Sequence, residues 1–327
     1  MIAPDASMLL EVRNLRVSFA VRHAGRTVRV RALQDVSFSL ATAETLGIVG
    51  ESGSGKSTLA RTLLRLIKSE HGQVHLRGID LLQLRGTDLQ RTRARLQMIF
   101  QDGVAALDPR QRIGATLEEP LQVLHPELSG NARRERLLAM LARVGLEPQH
   151  LQRYPHEFSG GQAQRIGIAR ALIVEPELVV CDEPLSSLDV SIKAQITALL
   201  LELKRELGLS LIFIAHDLPA VQLLSDRVLV LYLGRVMEIA PRAALFQCPR
   251  HPYTRALLQS VPVPDPRLAR RRHAPPLAGE MPSSLTPPSG CVFRTRCRFA
   301  IERCALEVPV LRLVGDSQVA CHRAGEI

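Results

Sequence analysis

The stretch GESGSGKST, residues 50–58, sets three glycines, a lysine and four hydroxyl side chains at the spacing of a phosphate cradle. Glycines leave backbone N–H groups free to point inward at phosphate oxygens, and the N-terminus of a following helix adds its dipole. In that arrangement Gly50, Ser52, Gly53, Ser54, Gly55 and Thr58 shape the loop. Lys56 reaches the β and γ phosphates of a nucleoside triphosphate, and the Ser57 hydroxyl ligates magnesium. A second group lies in ELVVCDEP, where Asp182 and Glu183 follow an apolar run. Carboxylates at the C-terminal edge of a strand face the ligand side of an α/β sheet, so Asp182 suits the magnesium shell and Glu183 suits polarising a water for attack on a γ-phosphate. By itself such a pair reads as a helix cap; the loop at 50–58 gives it chemistry. The third group is cysteine: of six in the chain, Cys291, Cys297, Cys304 and Cys321 fall in the last 37 residues, while Cys181 and Cys248 stand alone and are assigned to no metal.

The elements that must position these groups follow from the hydrophobic pattern. ETLGIVG reads as a buried strand running into the glycine loop, with STLARTLLRLI as the helix behind it. Further strands are expected at LLEVRNLRVSF, VRALQDVSFSL, LQMIF, ELVVCDE, LSLIFIAH and RVLVLYLGRVMEI. Residues from about 105 to 170, NARRERLLAMLARVGL among them, carry helical spacing throughout and read as a helical subdomain inserted between two core strands. The fold class is therefore α/β with a β-rich entry. Eight prolines between 262 and 290 mark a linker. The expected division is an ATPase domain at 1–260, a Pro-rich linker at 261–290 and a small cysteine-containing module at 291–327.

Formal net charge is +10, but the basic residues are spread along the chain apart from RLARRRH at 267–273, tryptophan is absent and aromatics are 3 %, so nucleic acid is not expected as a partner. The chain does not open on a basic segment followed by an apolar run, and no stretch approaches the roughly eighteen apolar residues that cross a bilayer. A soluble cytoplasmic chain is expected. In a reducing compartment clustered cysteines serve as metal ligands more often than as disulfides.

FSGGQAQRIGIARAL, residues 158–172, resembles the signature of ATP-binding-cassette ATPases. The resemblance implies an ABC-type nucleotide-binding domain: a P-loop core sheet with an antiparallel β subdomain and an inserted helical subdomain, taking ATP and Mg2+. It also implies that Ser159, Gly160, Gly161 and Gln162 start a helix whose N-terminus faces the γ-phosphate held by another subunit. The other family motifs fall in order: Gln101 as the glutamine loop, touching nucleotide and magnesium; SSLD at 186–189 with Asp189; and His216 as the switch histidine beside the catalytic Glu183. Phe19 is the implied aromatic that stacks on adenine. One phosphate loop and one signature are present, so such a cassette completes its site only as a dimer.

YPHEFSGGQ, QDGVAALDPR, RHPYTRALL and the stretch leading to PPSGCVFRTRC are similar to the ATPase subunits of dipeptide and oligopeptide importers, a class that includes nickel importers. FSGGQ and EPL at 119–121 are most similar to the second of the two ATPase subunits. Gly103 and Asp108 depart from that pattern, which has Pro and Asn there. The implied function is ATP hydrolysis driving uptake of di- or oligopeptides. The implied partners are a second ATPase subunit in a heterodimer, two integral-membrane permeases and, through them, a solute-binding protein, at the cytoplasmic face of the inner membrane. Uptake of nickel or another small solute, a soluble ATPase outside transport and a nucleotide-sensing iron–sulfur protein are the alternatives. In the tail, Cys291, Cys297, Cys304 and Cys321 are separated by five, six and sixteen residues, unlike the paired ligands of a zinc finger at about two to four. The resemblance implies a four-iron four-sulfur cluster on these thiols, with structural zinc or free thiols as the other readings.

Overall fold

The computed structural model describes residues 8–23, 25–260 and 279–327. Two long strands with alternating burial, β1 (Met8–His23) and β2 (Arg26–Ala41), lead into β3 (Thr45–Val49), the phosphate loop and α1 (Lys56–Leu63). After them come β4 (His71–Leu76), β5 (Ile79–Asp80), α2 (Gly86–Arg95) and β6 (Leu96–Ile99). Three helices then run in succession, α3 (Ile113–Leu124), α4 (Gly130–Arg143) and α5 (Gly160–Leu172). The core resumes with β7 (Leu178–Asp182), α6 (Val190–Leu207), β8 (Ser210–Ile214), α7 (Leu218–Leu224), β9 (Arg227–Tyr232) and β10 (Arg235–Pro241). Helices α8 (Arg242–Gln247) and α9 (Pro252–Gln259) precede a tail that holds α10 (Arg303–Leu306), β11 (Arg312–Val314) and β12 (Ser317–Val319).

Every residue of β3, β7 and β8 is buried, because a parallel sheet with both faces covered needs apolar side chains on both. These strands lie in an eight-stranded sheet of order β11-β12-β10-β9-β3-β8-β7-β6, parallel from β9 to β6 and antiparallel beyond β9. A separate antiparallel sheet, β2-β1-β4-β5, packs its apolar face on α1 and one side of the core. The other side is covered by α3 to α7. The segment read as RVLVLYLGRVMEI is two strands, since Leu233 and Gly234 both take positive φ and pair Tyr232 with Arg235 across a two-residue hairpin. Strands β4 and β5 and helix α2 are additions that short, half-buried elements did not announce. The expected helical stretch at 105–170 resolves into α3, α4 and α5 with loops and two 3₁₀ turns between them, and Pro120 sits inside α3.

Of the linker expected at 261–290, residues 261–278 lie outside the described residues, as does RLARRRH. The tail beyond it does not stand apart as a small module. Strand β12 pairs with β10 at Glu238↔Val319, and Cys291, Val292, Phe293 and Cys304 join the main core. A segment of 37 residues is too short to bury a core of its own, so it borrows one. Phe293 packs its ring 5.4 Å from Tyr232 and 5.3 Å from Tyr253, which stand 4.7 Å from each other.

Next to this aromatic cluster His251 caps α9, its Nδ1 accepting the Tyr253 N–H at 3.0 Å. Burial pushes its pKa down from 6.5 to about 3, against a backbone hydrogen bond to Ala320 that favours the proton. The folded chain therefore takes up this proton later than the unfolded chain does, and its stability is full above pH 6.5 and eroded as pH falls toward about 3. Urea unfolding across that window should show a slope of at most about 1.4 kcal/mol per pH unit from this group. His251→Asn, which keeps a capping acceptor without titrating, should flatten the slope; an unchanged slope would assign the acid sensitivity elsewhere.

Candidate functional site

The C-terminal ends of β3, β8, β7 and β6 lie side by side, so the loops leaving them meet at one edge of the sheet. The phosphate loop leaves β3, Asp182 ends β7 with Glu183 directly after it, His216 follows β8, and Gln101 follows β6. Here a cleft of about 300 Å³ is lined by Ser52, Gly53, Gly55, Lys56, Ser57 and Thr58, with Gln101 and Glu183 on the facing wall.

Lys56 is 5 % exposed, and its Nζ donates to the carbonyls of Gly50 at 2.8 Å and Glu51 at 3.0 Å. Burial lowers its pKa, while the carboxylates of Glu183, Asp182 and Glu51 hold the charge in place. Ser57 donates its hydroxyl to Asp182 Oδ1 at 2.9 Å. Burial raises the Asp182 pKa, opposed by that hydrogen bond and by nearby Arg61, so this carboxylate has surrendered its water and gains from a cation. Glu183 is the point of convergence: Lys56 Nζ stands 3.9 Å away, Gln101 Nε2 3.4 Å and His216 Nδ1 3.4 Å. Its backbone is left-handed, φ 50°, fixed by an N–H donated to Ile214 O. A non-glycine residue held in that region turns its side chain away from the strand direction and into the cleft.

The cradle has no room for larger residues. A Cβ on Gly50 would collide with the Leu231 carbonyl, and one on Gly55, at φ 108°, would lie 2.6 Å from the Ala32 carbonyl. The buried Ser54 hydroxyl finds no hydrogen-bond partner among the described residues. Together, loop N–H groups without side chains, a buried cation and a dehydrated carboxylate fit a triphosphate and its magnesium ion. Phe19 sits on β1 opposite Val30 of β2, 37 % exposed, and it is Val30 that lines the cleft. Cross-strand partners share a face, so the ring stands beside the cleft and outside its lining.

Ser159, Gly160, Gly161 and Gln162 lie elsewhere. Ser159 caps α5 in a reciprocal box with Gln162, Ser159 and Gly160 are exposed, and none of the four lines the cleft. Asp189 caps α6 by accepting the Ile192 N–H at 2.9 Å, and a Cβ on Gly161 would press on Ile192, so the two helix starts abut. Gly103 touches the same helix from the other side: a Cβ there would come 2.8 Å from the Gln164 backbone nitrogen. Asp108, the second departure from the family pattern, accepts the Arg110 N–H at 3.0 Å and its guanidinium at 3.1 Å; these bonds tie the turn and lower its pKa. Cys181 is fully buried in β7, its pKa pushed up to about 12, and Cys248 is exposed. Residues not anticipated as part of the site are Val30, Arg31, Ala32, Leu233 and Ser284, which line the cleft from β2, the β9–β10 turn and the tail. No local pattern marks them, because each reaches the cleft through long-range packing.

In the tail, Cys291 donates its N–H to the Cys304 carbonyl at 2.8 Å. Burial pushes the Cys291 pKa up to about 11 and raises those of Cys297 and Cys321, with each of the three also feeling the charge of neighbouring thiols. Among the described residues no three or more His, Cys, Asp or Glu side chains already stand in a metal-holding arrangement.

The family described as ABC transporter matches residues 33–186, and that described as oligopeptide/dipeptide transporter, C-terminal region, matches residues 237–304. The chain is 49 % identical to the oligopeptide transport ATP-binding protein OppF of Haemophilus influenzae, over 98 % of each chain. It is 50 % identical to the OppF protein of Salmonella typhimurium, over 98 % of this chain and 97 % of that one. Among solved structures, the dimeric post-hydrolysis state of the ATP-binding cassette MJ0796 with ADP and Pi superposes with a TM-score of 0.64 at 28 % identity, covering 72 % of this chain and 99 % of that one.

The two glycine environments separate folding from chemistry. Gly55→Ala forces a Cβ into a left-handed position against a carbonyl and should destabilise the fold by about 1–3 kcal/mol in urea unfolding. Gly160→Ala meets only Leu188 Cδ2 at 3.6 Å, an ordinary contact, and should unfold with the native protein to within about 0.5 kcal/mol. A large destabilisation at Gly160 would show that the start of α5 is packed more tightly than described.

Proposed function

This chain belongs to the ABC transporter family of ATPases, in its oligopeptide and dipeptide transport branch, and from that premise we propose that it is the ATP-hydrolysing subunit of a peptide importer. The observation that carries the catalytic part is the convergence of Lys56, Gln101 and His216 on Glu183 from separate loops. Gly50, Ser52, Gly53, Ser54, Gly55 and Thr58 cradle the phosphates, and Lys56 holds the β and γ groups. Ser57, Asp182 and Gln101 hold magnesium, which when bound neutralises charge on the phosphate oxygens. Glu183 orients and polarises the attacking water, His216 and Gln101 hold Glu183 and that water in register, and Phe19 extends the site toward the adenine.

Ser159 and Gly160, exposed at the start of α5, serve with Gly161 and Gln162 the cleft of a second cassette, and Asp189 shapes the same seam. The second cassette is a distinct, related ATPase subunit, and the pair docks on two permeases fed by a solute-binding protein. Among the described residues no helix is long and apolar enough to cross a membrane, which fits a peripheral place on the cytoplasmic face. The loop after Gln101 supplies a docking face for the permeases, with Phe100 and Val104 38 % and 42 % exposed beside it. Peptide as cargo rests on the likeness to oligopeptide transport ATP-binding proteins.

The tail's Cys291, Cys297, Cys304 and Cys321 hold a four-iron four-sulfur cluster. Cys291, Cys297 and Cys321 each feel the charge of neighbouring thiols, and Arg298, Arg312 and Arg323 stand near enough to offset the charge that thiolates bound to iron would carry. The cluster, when bound, would tie α10, the β11–β12 hairpin and the 3₁₀ turn at 294–296 into one unit.

Glu183→Gln is expected to keep Mg-ATP affinity while hydrolysis falls by about 10²–10⁴-fold, and to be recovered from membranes as a closed pair with a second ATPase and both permeases. Near-normal turnover would remove Glu183 from the mechanism, and recovery of the native chain from membranes as a homodimer competent for transport would remove the heterodimer. Lys56→Ala should lose Mg-ATP binding itself. For the tail, anaerobically purified protein should contain iron, and Cys297→Ser should lose it; stoichiometric zinc with no iron would sink the cluster.

A further inference from the structure

Glu51, the second residue of the phosphate loop, has all its polar groups engaged, and two of the engagements reach beyond residue 240. Its backbone N–H donates to Tyr253 Oη at 2.9 Å, and its carbonyl takes Lys56 Nζ at 3.0 Å. Its carboxylate receives Arg296 Nη1 at 2.9 and 3.0 Å, and that nitrogen also lies 3.4 Å from Tyr232 Oη. Arg296 belongs to the tail, in the 3₁₀ turn Arg294–Arg296, and its side chain is only 6 % exposed. The turn is anchored by Phe293 against Tyr232 and Tyr253. A second tail segment reaches the same loop: Ser284 lines the cleft, and Met281 Cε lies 3.2 Å from where a Cβ on Gly53 would stand.

A carboxylate in a loop that binds a triphosphate is an electrostatic fault unless something neutralises it. Here it also belongs to the residue whose carbonyl holds the ammonium of Lys56, so its position is transmitted to the cation. We infer that Arg296 is a positioning residue for nucleotide binding: it cancels the Glu51 charge and fixes the Glu51 peptide, so the tail clamps the phosphate loop of its own chain. The inference rests on the ATP-site reading above and adds to it a part for residues that follow the cassette. Removing Arg296 alone leaves a partly buried anion beside the phosphates, the costly half of a broken ion pair. Removing the charge of Glu51 as well takes that anion away.

The test is Mg-ATP titration of the full-length chain by calorimetry. Arg296→Ala should weaken affinity about tenfold, the scale of one charge-assisted hydrogen-bond pair. Glu51→Gln placed in the Arg296→Ala background should restore most of it. Arg296→Met fills the space of the side chain without the charge and should weaken binding as Arg296→Ala does with a smaller loss of thermal midpoint, so a folding defect in the alanine variant leaves the question answerable. Native affinity in Arg296→Met overturns the inference, as does equal weakening with and without Glu51→Gln, which would mean that Arg296 does not act through Glu51. If Lys56→Ala abolishes binding while Arg296→Met binds as the native chain does, this inference alone falls. If Lys56→Ala also binds normally, the ATP-site reading falls with it.

Discussion

A buried ammonium needs partners that stay put. Lys56, almost wholly out of water, is held by two loop carbonyls and faces the Glu183 carboxylate, with Asp182 behind it. Burial lowers its pKa, and the fixed oxygen atoms around it favour the charged form. Those oxygens come from the end of β3, from the end of β7 and, through Glu51, from contacts with α9 and the tail. The parallel core sheet, the aromatic cluster and the docked C-terminal segment therefore all serve the placement of one charge. A fold that let any of them drift would leave a desolvated cation with weaker compensation.

The same economy links the site to the helices beyond it. Gln101 reaches Glu183 at one end of its loop, and two residues later Gly103 presses against α5 with no space for a side chain. Phe100 accepts from Gln164 through its carbonyl at 3.5 Å, so β6, the loop and the signature helix move as connected parts. The start of α5 abuts the start of α6, where Asp189 is the cap. Glu183 and the exposed Ser159–Gly160 end are thus joined by contiguous packing and by hydrogen bonds of 3.4 and 3.5 Å, the physical continuity that coupling between them would require.

The tail changes the picture of where the cassette ends. Its proline-rich approach suggested a separate appendage, yet β12 extends the main sheet and Phe293 completes an aromatic cluster with Tyr232 and Tyr253. Short segments with few apolar residues gain stability by docking, and the antiparallel edge at β10 offers unpaired backbone groups to dock on. Cys297 thereby comes to lie next in the chain to Arg296, whose partner is in the phosphate loop.

By itself the sequence determined the local parts: the buried strands, because unbroken apolar runs fit only a sheet covered on both faces; the phosphate loop, because glycine spacing prescribes backbone shape; and the acidic pair at the end of β7, because strand ends place residues by count. It also carried the signature at 158–162 as a helix start, and the structure makes it one. Only the tertiary structure decided which loops meet. That Val30 and not Phe19 lines the cleft, that Leu233–Gly234 breaks one apolar run into a hairpin, and that Arg296 meets Glu51 across 245 positions depend on strand order and on the docking of distant segments. Such contacts leave no periodic mark in the chain, because they are chosen by the burial and charge of partners far away in sequence.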